Sequence, residues 1–266
     1  MGRPDDKINV MTETIERTTQ LEALLVGGPT LRLRYAGRTF LTDPTFDEPG
    51  VYPGPVTLHK LVGPAVSAAE VGPVDIVLLS HDEHDDNLDH SGREFLKTVP
   101  TVLSTPGAAE RIEGVRGLES WETATIDGIR VTAVPALHGP EGCEPLTGFV
   151  TGFVLQADGQ PTVYVSGDNA SVDLVGQIVE RIGRIDIAVL FVGAANVDRF
   201  GDIDITLNAH TALKAAELLG DAVVVPVHGE GWAHFSETLE RLEREFEYGG
   251  RAGQLRIPPL GKTVAV

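Results

Sequence analysis

The segment 80–90 packs three histidines and five carboxylates into eleven residues, directly after an apolar run that ends at Leu79. Carboxylates this close together repel one another unless positive charge lies among them. Neutral imidazole beside carboxylate is also the ligand set that zinc and similar divalent ions prefer. We therefore interpret the segment as a metal-binding loop at the end of a buried strand. The alternative is a solvated acidic loop with incidental histidines.

The charge balance limits the partners that this chain of 266 residues can have. Acidic residues outnumber basic residues by 39 to 21, which gives a formal charge of −18. Nucleic acids and anionic lipid surfaces both require clustered Lys and Arg, so we expect neither nucleic acid nor membrane as a partner. We expect a small-molecule substrate, and a homo-oligomer stays open as an alternative.

Cysteine content and the N-terminal sequence bear on where the protein resides. The single cysteine, Cys143, excludes a disulfide framework and favours a reducing compartment. Residues 1–20 are charged and polar, unlike a signal peptide, so we expect a cytoplasmic protein. We predict that residues 1–20 form a loosely ordered extension, and Met11 is an alternative start of the chain.

Hydrophobic periodicity predicts strands first and then alternating strands and helices. Helices are expected in five segments, 91–99, 108–113, 172–182, 207–219 and 235–246. Buried strands are expected in the most apolar runs, which include 74–79, 185–192 and 222–227. The Pro- and Gly-rich stretch 44–63 is expected to be a long loop. Two sheets between two helix layers accommodate this order, so we predict an α/β fold with one four-layer αββα domain over residues 21–266.

Three other residues repeat the pattern of a metal-competent side chain just beyond an apolar strand. They are His138, Asp168 and His228. Any one of them alone is a weak signal, because a histidine at a strand end is more often structural. Ligands at equivalent sheet edges converge on one spot, so the set predicts a metal site.

Taken together, these segments resemble the metallo-β-lactamase fold superfamily, and in particular its ascorbate-6-phosphate lactonase-like, zinc-dependent hydrolase branch. The resemblance runs from about Leu21 to Val266 and implies an αββα sandwich and a metal-dependent hydrolase. Five motifs carry it, Thr42-Asp43-Pro44, Leu79-Ser80-His81, Pro135-Ala136-Leu137-His138, Ser166-Gly167-Asp168-Asn169 and Val225-Pro226-Val227-His228-Gly229.

The metal loop departs from the family pattern HxHxDHLD, because it has the form HxxHxDNLD over residues 81–89. In one alignment, His84 takes the place of the second histidine after one extra residue, and Asn87 stands where the last histidine belongs. In the other, Glu83 and Asp86 take those two places. We prefer the first alignment, since it keeps both histidines and the Leu-Asp end.

In the preferred alignment the resemblance implies a two-metal centre. The implied ligands are His81, His84 and His138 for one ion, Asp86 and His228 for the second, and Asp168 as a bridge. An amide oxygen at Asn87 is a weak, hard ligand, so we expect zinc at one or both sites and manganese as an alternative at the second. Asp86 would orient a metal-activated hydroxide as the catalytic residue.

Five further residues are candidates for supporting the ligands or contacting substrate, Asp43, Asn87, Asp89, His210 and His234. Asp43 is expected to tie its turn to the metal loop. Asp89 either orients a ligand imidazole or caps the helix that follows it. Surface or packing roles are the more frequent ones for histidines placed like His210 and His234. Lys60 and Arg199 are candidate contacts for an anionic substrate, although surface positions would suit both.

These residues and the resemblance favour a hydrolase that cleaves an ester, lactone, amide or phosphodiester bond of a small molecule. A catalytically silent metal-binding or regulatory protein is one alternative, with Asn87 marking decay of the centre. Retention of the other ligands speaks against decay. An iron redox enzyme is a second alternative, which the lack of a flavin segment or other electron path disfavours.

Overall fold

The structure is a computed structural model that describes residues 21–266. The predicted extension over residues 1–20 lies outside the described residues. In chain order the strands are β1 (Glu22–Gly27), β2 (Thr30–Tyr35), β3 (Arg38–Thr42), β4 (Gly50–Tyr52), β5 (Leu58–Lys60), β6 (Ile76–Leu78), β7 (Thr101–Ser104), β8 (Val115–Gly117), β9 (Thr123–Ile126), β10 (Ile129–Pro135), β11 (Thr151–Gln156), β12 (Val163–Val165), β13 (Ile187–Phe191), β14 (Val223–Val227) and β15 (Thr263–Ala265). The helices are α1 (His90–Leu96), α2 (Pro106–Arg111), α3 (Glu144–Thr147), α4 (Val172–Ile182), α5 (Ala209–Leu218) and α6 (Leu239–Tyr248). Across residues 21–266, none of the helices combines the length and the apolar character that crossing a bilayer requires.

Two large β-sheets form the centre of the fold. Seven strands make up the first sheet in the order β15-β1-β2-β3-β6-β7-β8, and six make up the second in the order β14-β13-β12-β11-β10-β9. The apolar cluster between the sheets includes Phe40, Phe153 and Phe191. A second cluster lies between the second sheet and α4, α5 and α6, and a third packs α1 against the first sheet. This arrangement confirms the predicted αββα layering.

The stretch 44–63 is not one continuous loop, as the sequence had led us to expect. It contains the antiparallel hairpin β4–β5, in which Tyr52 pairs with Leu58. Tyr52 is buried, and its ring centroid lies 5.3 Å from that of Trp232. The two strands are only three residues long, too short to show alternation among the surrounding Pro and Gly, and the packing on Trp232 fixes them.

The last large helix, α6, begins at Leu239 instead of Phe235. The backbone N–H groups of Ser236 and Glu237 both donate to the carbonyl of Gly193, which holds this segment in an extended turn. The Thr238 side chain then accepts from Arg241 N and caps the helix. Tertiary hydrogen bonds therefore override the helical spacing that the sequence shows before residue 239.

Parallel strand pairing places the site at one edge of the sandwich. β3 and β6 run parallel in the first sheet, as do β12, β13 and β14 in the second. β10 shares the direction of β12, since both are antiparallel to β11. The carboxyl ends of these strands lead into the segments that carry the implied ligands.

Candidate metal centre

Three imidazole nitrogens converge in the loops after β6 and β10. His81 Nε2 lies 2.9 Å from His84 Nδ1, which lies 3.2 Å from His138 Nε2. Zn–N bonds of about 2.0–2.1 Å at tetrahedral angles put two ligand nitrogens about 3.3 Å apart. The three histidines therefore have the spacing of ligands around one ion. Donor atoms of these histidines and of Asp168 all lie within 4.8 Å of one another.

A second group of donors, which shares Asp168, contains Asp86 and His228. His228 Nε2 lies 3.2 Å from Asp86 Oδ2, and His228 Nδ1 lies 3.4 Å from Asp168 Oδ1. Both ring nitrogens of His228 and Asp168 Oδ2 are buried, and no group in the described part of the chain forms a hydrogen bond with them. Buried polar atoms in proteins are almost always paired, so these free atoms fit a bound cation. The side chains present thus suit two divalent ions.

The protonation states of the first group suit metal binding. Burial lowers the pKa of His84 to about 4, and the nearby His138 adds to the shift. Burial also holds the pKa of His81 well below its ordinary value. Both imidazoles are therefore neutral near pH 7, with a lone pair available on each ring, which is the form that binds a metal.

The second group contains an ionised carboxylate. Burial raises the pKa of Asp86, but the imidazoles of His234 and His228 outweigh it and hold that pKa well below the ordinary value. Burial lowers the pKa of His228, and the carboxylates of Asp168 and Asp86 reverse this shift, so that its pKa is raised. This pocket therefore attracts positive charge, which a divalent ion supplies.

Fixed partners orient two of the first-group imidazoles. His138 Nδ1 donates to the carbonyl of Ile205 at 2.6 Å, which leaves Nε2 free to point at the other histidines. His81 Nδ1 lies 2.9 Å from the hydroxyl of Ser80. Such outer partners set the tautomer and the ring orientation of metal-binding histidines.

Asp43 holds the start of the metal loop. Its Oδ1 accepts a hydrogen bond from Ser80 N at 2.7 Å, and the side chain is buried. Burial keeps the pKa of this carboxyl well above its usual range, although the bond from Ser80 opposes the shift. Asp43 and His228 both have positive φ, 28° and 56°, a strained backbone that clusters at functional sites.

Asp89 caps α1, which resolves the two roles left open for it. Its Oδ1 accepts from Gly92 N and Phe46 N, and its Oδ2 lies 2.9 Å from Lys60 Nζ. Both side chains of this ion pair are buried, with exposed fractions of 0% for Asp89 and 4% for Lys60. Lys60 is therefore neither a surface residue nor a free contact for substrate; it ties the β4–β5 hairpin to the metal loop.

Asn87 is buried beside Asp168, which both donor groups share. Its Nδ2 donates to Asp168 Oδ1 at 3.0 Å. Its Oδ1 has no hydrogen-bond partner among residues 21–266. The structure also places His84 in the first donor group and directs Glu83 toward Arg111, at 2.5 Å. That placement agrees with the alignment in which His84 is the second histidine.

The remaining histidines differ in position. His210 lies on α5 with 59% of its side chain exposed, and its Nδ1 is 3.2 Å from Glu245. His234 has only 10% of its side chain exposed, and its Nε2 lies 2.9 Å from Asp86 Oδ2. The sequence analysis did not distinguish His210 from His234. Spacing could have separated them, because His234 follows His228 by six residues across two glycines, which let the chain fold back.

A cavity of about 430 Å³ opens over the donors His84, Asp86 and His138, and His234 lines it too. Apolar side chains form much of its wall, among them Val56, Leu58, Leu146, Phe149, Val197 and Ile205. Arg199 also lines the cavity, and its guanidinium donates to the carbonyl of Leu146 at 2.6 Å. The donor groups thus face a pocket large enough for a small organic molecule.

Comparison with known proteins agrees with this geometry. The sequence model of the family described as "Beta-lactamase superfamily domain" matches residues 38–229. A metal-dependent hydrolase of Methanoculleus marisnigri is 31% identical over 72% of this chain and 82% of its own length. The mitochondrial N-acyl-phosphatidylethanolamine-hydrolyzing phospholipase D of Saccharomyces cerevisiae is 28% identical over 86% of this chain, which spans about half (52%) of that enzyme.

Among solved structures, the isothiocyanate hydrolase from Delia radicum gut bacteria superposes with a TM-score of 0.80 at 25% identity, covering 92% of this chain and 99% of that one. These relatives are named as hydrolases, which favours an enzyme over the catalytically silent alternative. The converging histidines and carboxylates supply the metal site that such an enzyme needs. The chain belongs to the β-lactamase superfamily and is a metal-dependent hydrolase with the metallo-β-lactamase fold.

Proposed function

We propose that this enzyme uses a dinuclear divalent centre to hydrolyse an ester, lactone, amide or phosphodiester bond of a small molecule. The observation that carries the proposal is the pair of donor groups that share Asp168 beside an open cavity. Bound divalent ions supply Lewis acidity and lower the pKa of water to about 7. Zinc suits the imidazole-rich first site, and manganese is the alternative at the second.

The protein's own groups position the reactants. The Asp86 carboxylate is ionised and lines the cavity, so it can accept a hydrogen bond from the attacking water and orient it. The Nε2–H group of His234 donates to the same carboxylate and limits its rotation. The apolar wall excludes bulk water from the bond to be cleaved, which strengthens the electrostatic interactions inside.

The lining of the cavity favours an uncharged, partly apolar substrate. Among the described residues that line it, Arg199 is the one cationic side chain, whereas Glu83, Asp85 and Glu144 are acidic. An isothiocyanate, the substrate class named for the similar solved structure, is small and uncharged. The name of the yeast relative, a phospholipase D, implies an anionic phosphodiester substrate. The ascorbate-6-phosphate lactonase-like branch also implies an anionic substrate. Either substrate would depend on Arg199 for a positive contact in the cavity.

The proposal is tested with metal-free protein to which Zn²⁺ or Mn²⁺ is returned. Hydrolysis of a panel containing a neutral lactone, a neutral ester, an alkyl isothiocyanate and a phosphodiester is followed with each metal. We expect activity on at least one neutral compound, loss on chelation, and at least a 100-fold lower kcat/KM in His84→Ala. Activity equal to that of the metal-loaded wild type in the chelated protein, or in His84→Ala, would contradict a metal-dependent mechanism.

We also propose a cytoplasmic location. Cys143 is buried and unpaired, as suits a reducing compartment. Cell fractionation of the producing organism tests this, and recovery of the protein only from the extracellular fraction would contradict it.

A further inference from the structure

The second donor group is one ligand short of the first. The first contains four residues, and the second contains three, Asp86, Asp168 and His228. Asn87 stands where the family resemblance places a histidine, and its amide nitrogen is engaged with Asp168 Oδ1 at 3.0 Å. Asn87 therefore acts as a hydrogen-bond donor that holds the shared carboxylate, and the missing nitrogen ligand has to come from elsewhere.

His234 is placed to supply that nitrogen. Its Nε2 lies 2.9 Å from Asp86 Oδ2, and His228 Nε2 lies 3.2 Å from the same oxygen atom. Ligand atoms held tetrahedrally at about 2.0–2.1 Å are about 3.3 Å apart, so both nitrogens lie within about 0.4 Å of that spacing from Asp86 Oδ2. The ring is nearly buried, and its Nδ1 is buried without a hydrogen-bond partner. The ring packs against Phe235 and Trp232, and among residues 21–266 its one polar side-chain contact is the bond to Asp86.

The loop that carries His234 is held independently of the metal. Trp232, two residues earlier, is buried against Tyr52 of the β4–β5 hairpin. The carbonyl of His234 accepts from Asn196 N at 2.9 Å. The backbone on both sides of the imidazole is thus anchored, so the ring is presented to Asp86 by the fold.

We propose that His234 replaces the missing histidine as a ligand of the second ion, with Asn87 holding Asp168 in place. This inference rests on the proposed dinuclear centre. His234 is not part of the group whose donor atoms all lie within 4.8 Å of one another, so its ring would have to turn toward the other donors to join them. The second site then has two imidazoles and two carboxylates, a ligand set that suits zinc.

The test measures metal content and affinity in the full chain, without reference to activity. Wild type, His234→Ala, His234→Gln and the control His210→Ala are loaded with Zn²⁺, desalted and analysed by mass spectrometry, and the weaker site is titrated against a chelator. The control removes an exposed imidazole on α5. We expect two ions in wild type and in His210→Ala. We expect one retained ion in His234→Ala, with at least about 100-fold weaker binding at the second site.

The glutamine variant separates a ligand from a positioning residue. Its amide N–H can still donate to Asp86, but it has no imidazole lone pair to give to an ion. We expect His234→Gln to lose the second ion as His234→Ala does. Full retention of two ions with wild-type affinity in either variant would overturn the inference.

Failure of the inference is distinguishable from failure of the proposed function. Wild-type protein that binds fewer than two ions would contradict the dinuclear centre itself. Two ions in wild type and in both His234 variants would contradict only the role of His234. Retention of the first ion in the variants shows that they are folded.

Discussion

At the scale of single residues, the site is a set of polar groups whose burial close together costs free energy. His84 Nδ1 lies 2.9 Å from His81 Nε2 and 3.2 Å from His138 Nε2, so the three imidazoles cannot all be protonated, and burial keeps His81 and His84 neutral. Buried atoms of His228 and Asp168 lack partners. Divalent ions remove both costs, which is the physical basis of the metal assignment.

The buried ion pair of Lys60 and Asp89 gives a residue-scale prediction. Asp89→Asn keeps the helix cap, because asparagine caps well, but leaves the Lys60 ammonium buried and unpaired. We expect this variant to lose about 3 kcal/mol of unfolding free energy, measured by denaturant titration. Lys60→Met combined with Asp89→Asn should lose less than the sum of the single changes.

The exposed pair of Lys97 and Glu94 is the matched control, since both side chains are about 70% exposed. Lys97→Met should change the unfolding free energy by less than about 0.5 kcal/mol. If the losses of unfolding free energy in Lys60→Met and Asp89→Asn were strictly additive in the double variant, the two side chains would not be coupled.

Asp47 gives a prediction of pH dependence away from the metal ligands. Partial burial raises its pKa, but hydrogen bonds from Ser91, Tyr52 and His90 outweigh this effect and lower the pKa to about 2. A folded-state pKa below the unfolded value of about 3.9 stabilises the fold above pH 4, and this contribution is lost as the pH falls toward 2. Asp47→Asn should therefore be less stable than wild type at pH 6.

Denaturant titrations from pH 6 down to 3 measure this difference. The gap in unfolding free energy between wild type and Asp47→Asn should begin to shrink below about pH 4. A gap that stays constant or widens over that range would show that the carboxylate is not stabilised in the fold.

At the scale of elements, strand ends and one short helix build the site. α1 packs so closely on the turn after β3 that a Cβ at Gly92 would lie 1.9 Å from the carbonyl oxygen of Pro44. The same turn carries Asp43, which holds Ser80. The position of α1 is therefore coupled to the metal loop through backbone contact.

Gly92→Ala should consequently destabilise the protein by more than about 2 kcal/mol and weaken metal binding, because backbone atoms have to move apart. Gly176→Ala in α4 is the control, since its Cβ would meet only Leu218 Cδ1 at 3.6 Å. That change should stabilise the helix by up to about 1 kcal/mol. Thermal unfolding of both variants checks the contrast, and equal effects would contradict the close packing of α1.

The sequence predicted the regular elements well where periodicity was long or strongly apolar. The bounds of α4 agree with the expectation, and those of β14 agree to within one residue, because each element is predicted from its own side chains. The β4–β5 hairpin and the start of α6 differ from the expectation, since contacts with Trp232 and Gly193 determine them. For the same reason, sequence reasoning recognised the strand-end ligands and undervalued His234, whose position depends on tertiary contacts.

At the scale of the whole molecule, the donors bridge the two sheets. His81, His84 and Asp86 follow β6 of the first sheet, whereas His138, Asp168 and His228 follow strands of the second. Each donor group takes ligands from both sheets. A bound ion therefore joins the two halves of the sandwich, and its binding free energy adds to the stability of the folded state.

Metal removal should accordingly lower the Tm by several degrees. A ligand present at 100 times its Kd stabilises the fold by about 2.7 kcal/mol, and a change of 1 kcal/mol shifts the Tm of a protein this size by about 2–4 °C. Calorimetry before and after chelation, and again after Zn²⁺ is returned, measures the shift. An unchanged Tm in the metal-free protein would show that the ions do not link the sheets.

The most direct test of the central claim is the metal content of the purified full-length chain, determined by mass spectrometry together with protein concentration. The two donor groups that share Asp168 predict two divalent ions per chain in wild type. They predict fewer than two when Asp168 is replaced by alanine. A wild-type protein that holds fewer than two ions per chain after incubation with Zn²⁺ and Mn²⁺ would contradict the dinuclear centre.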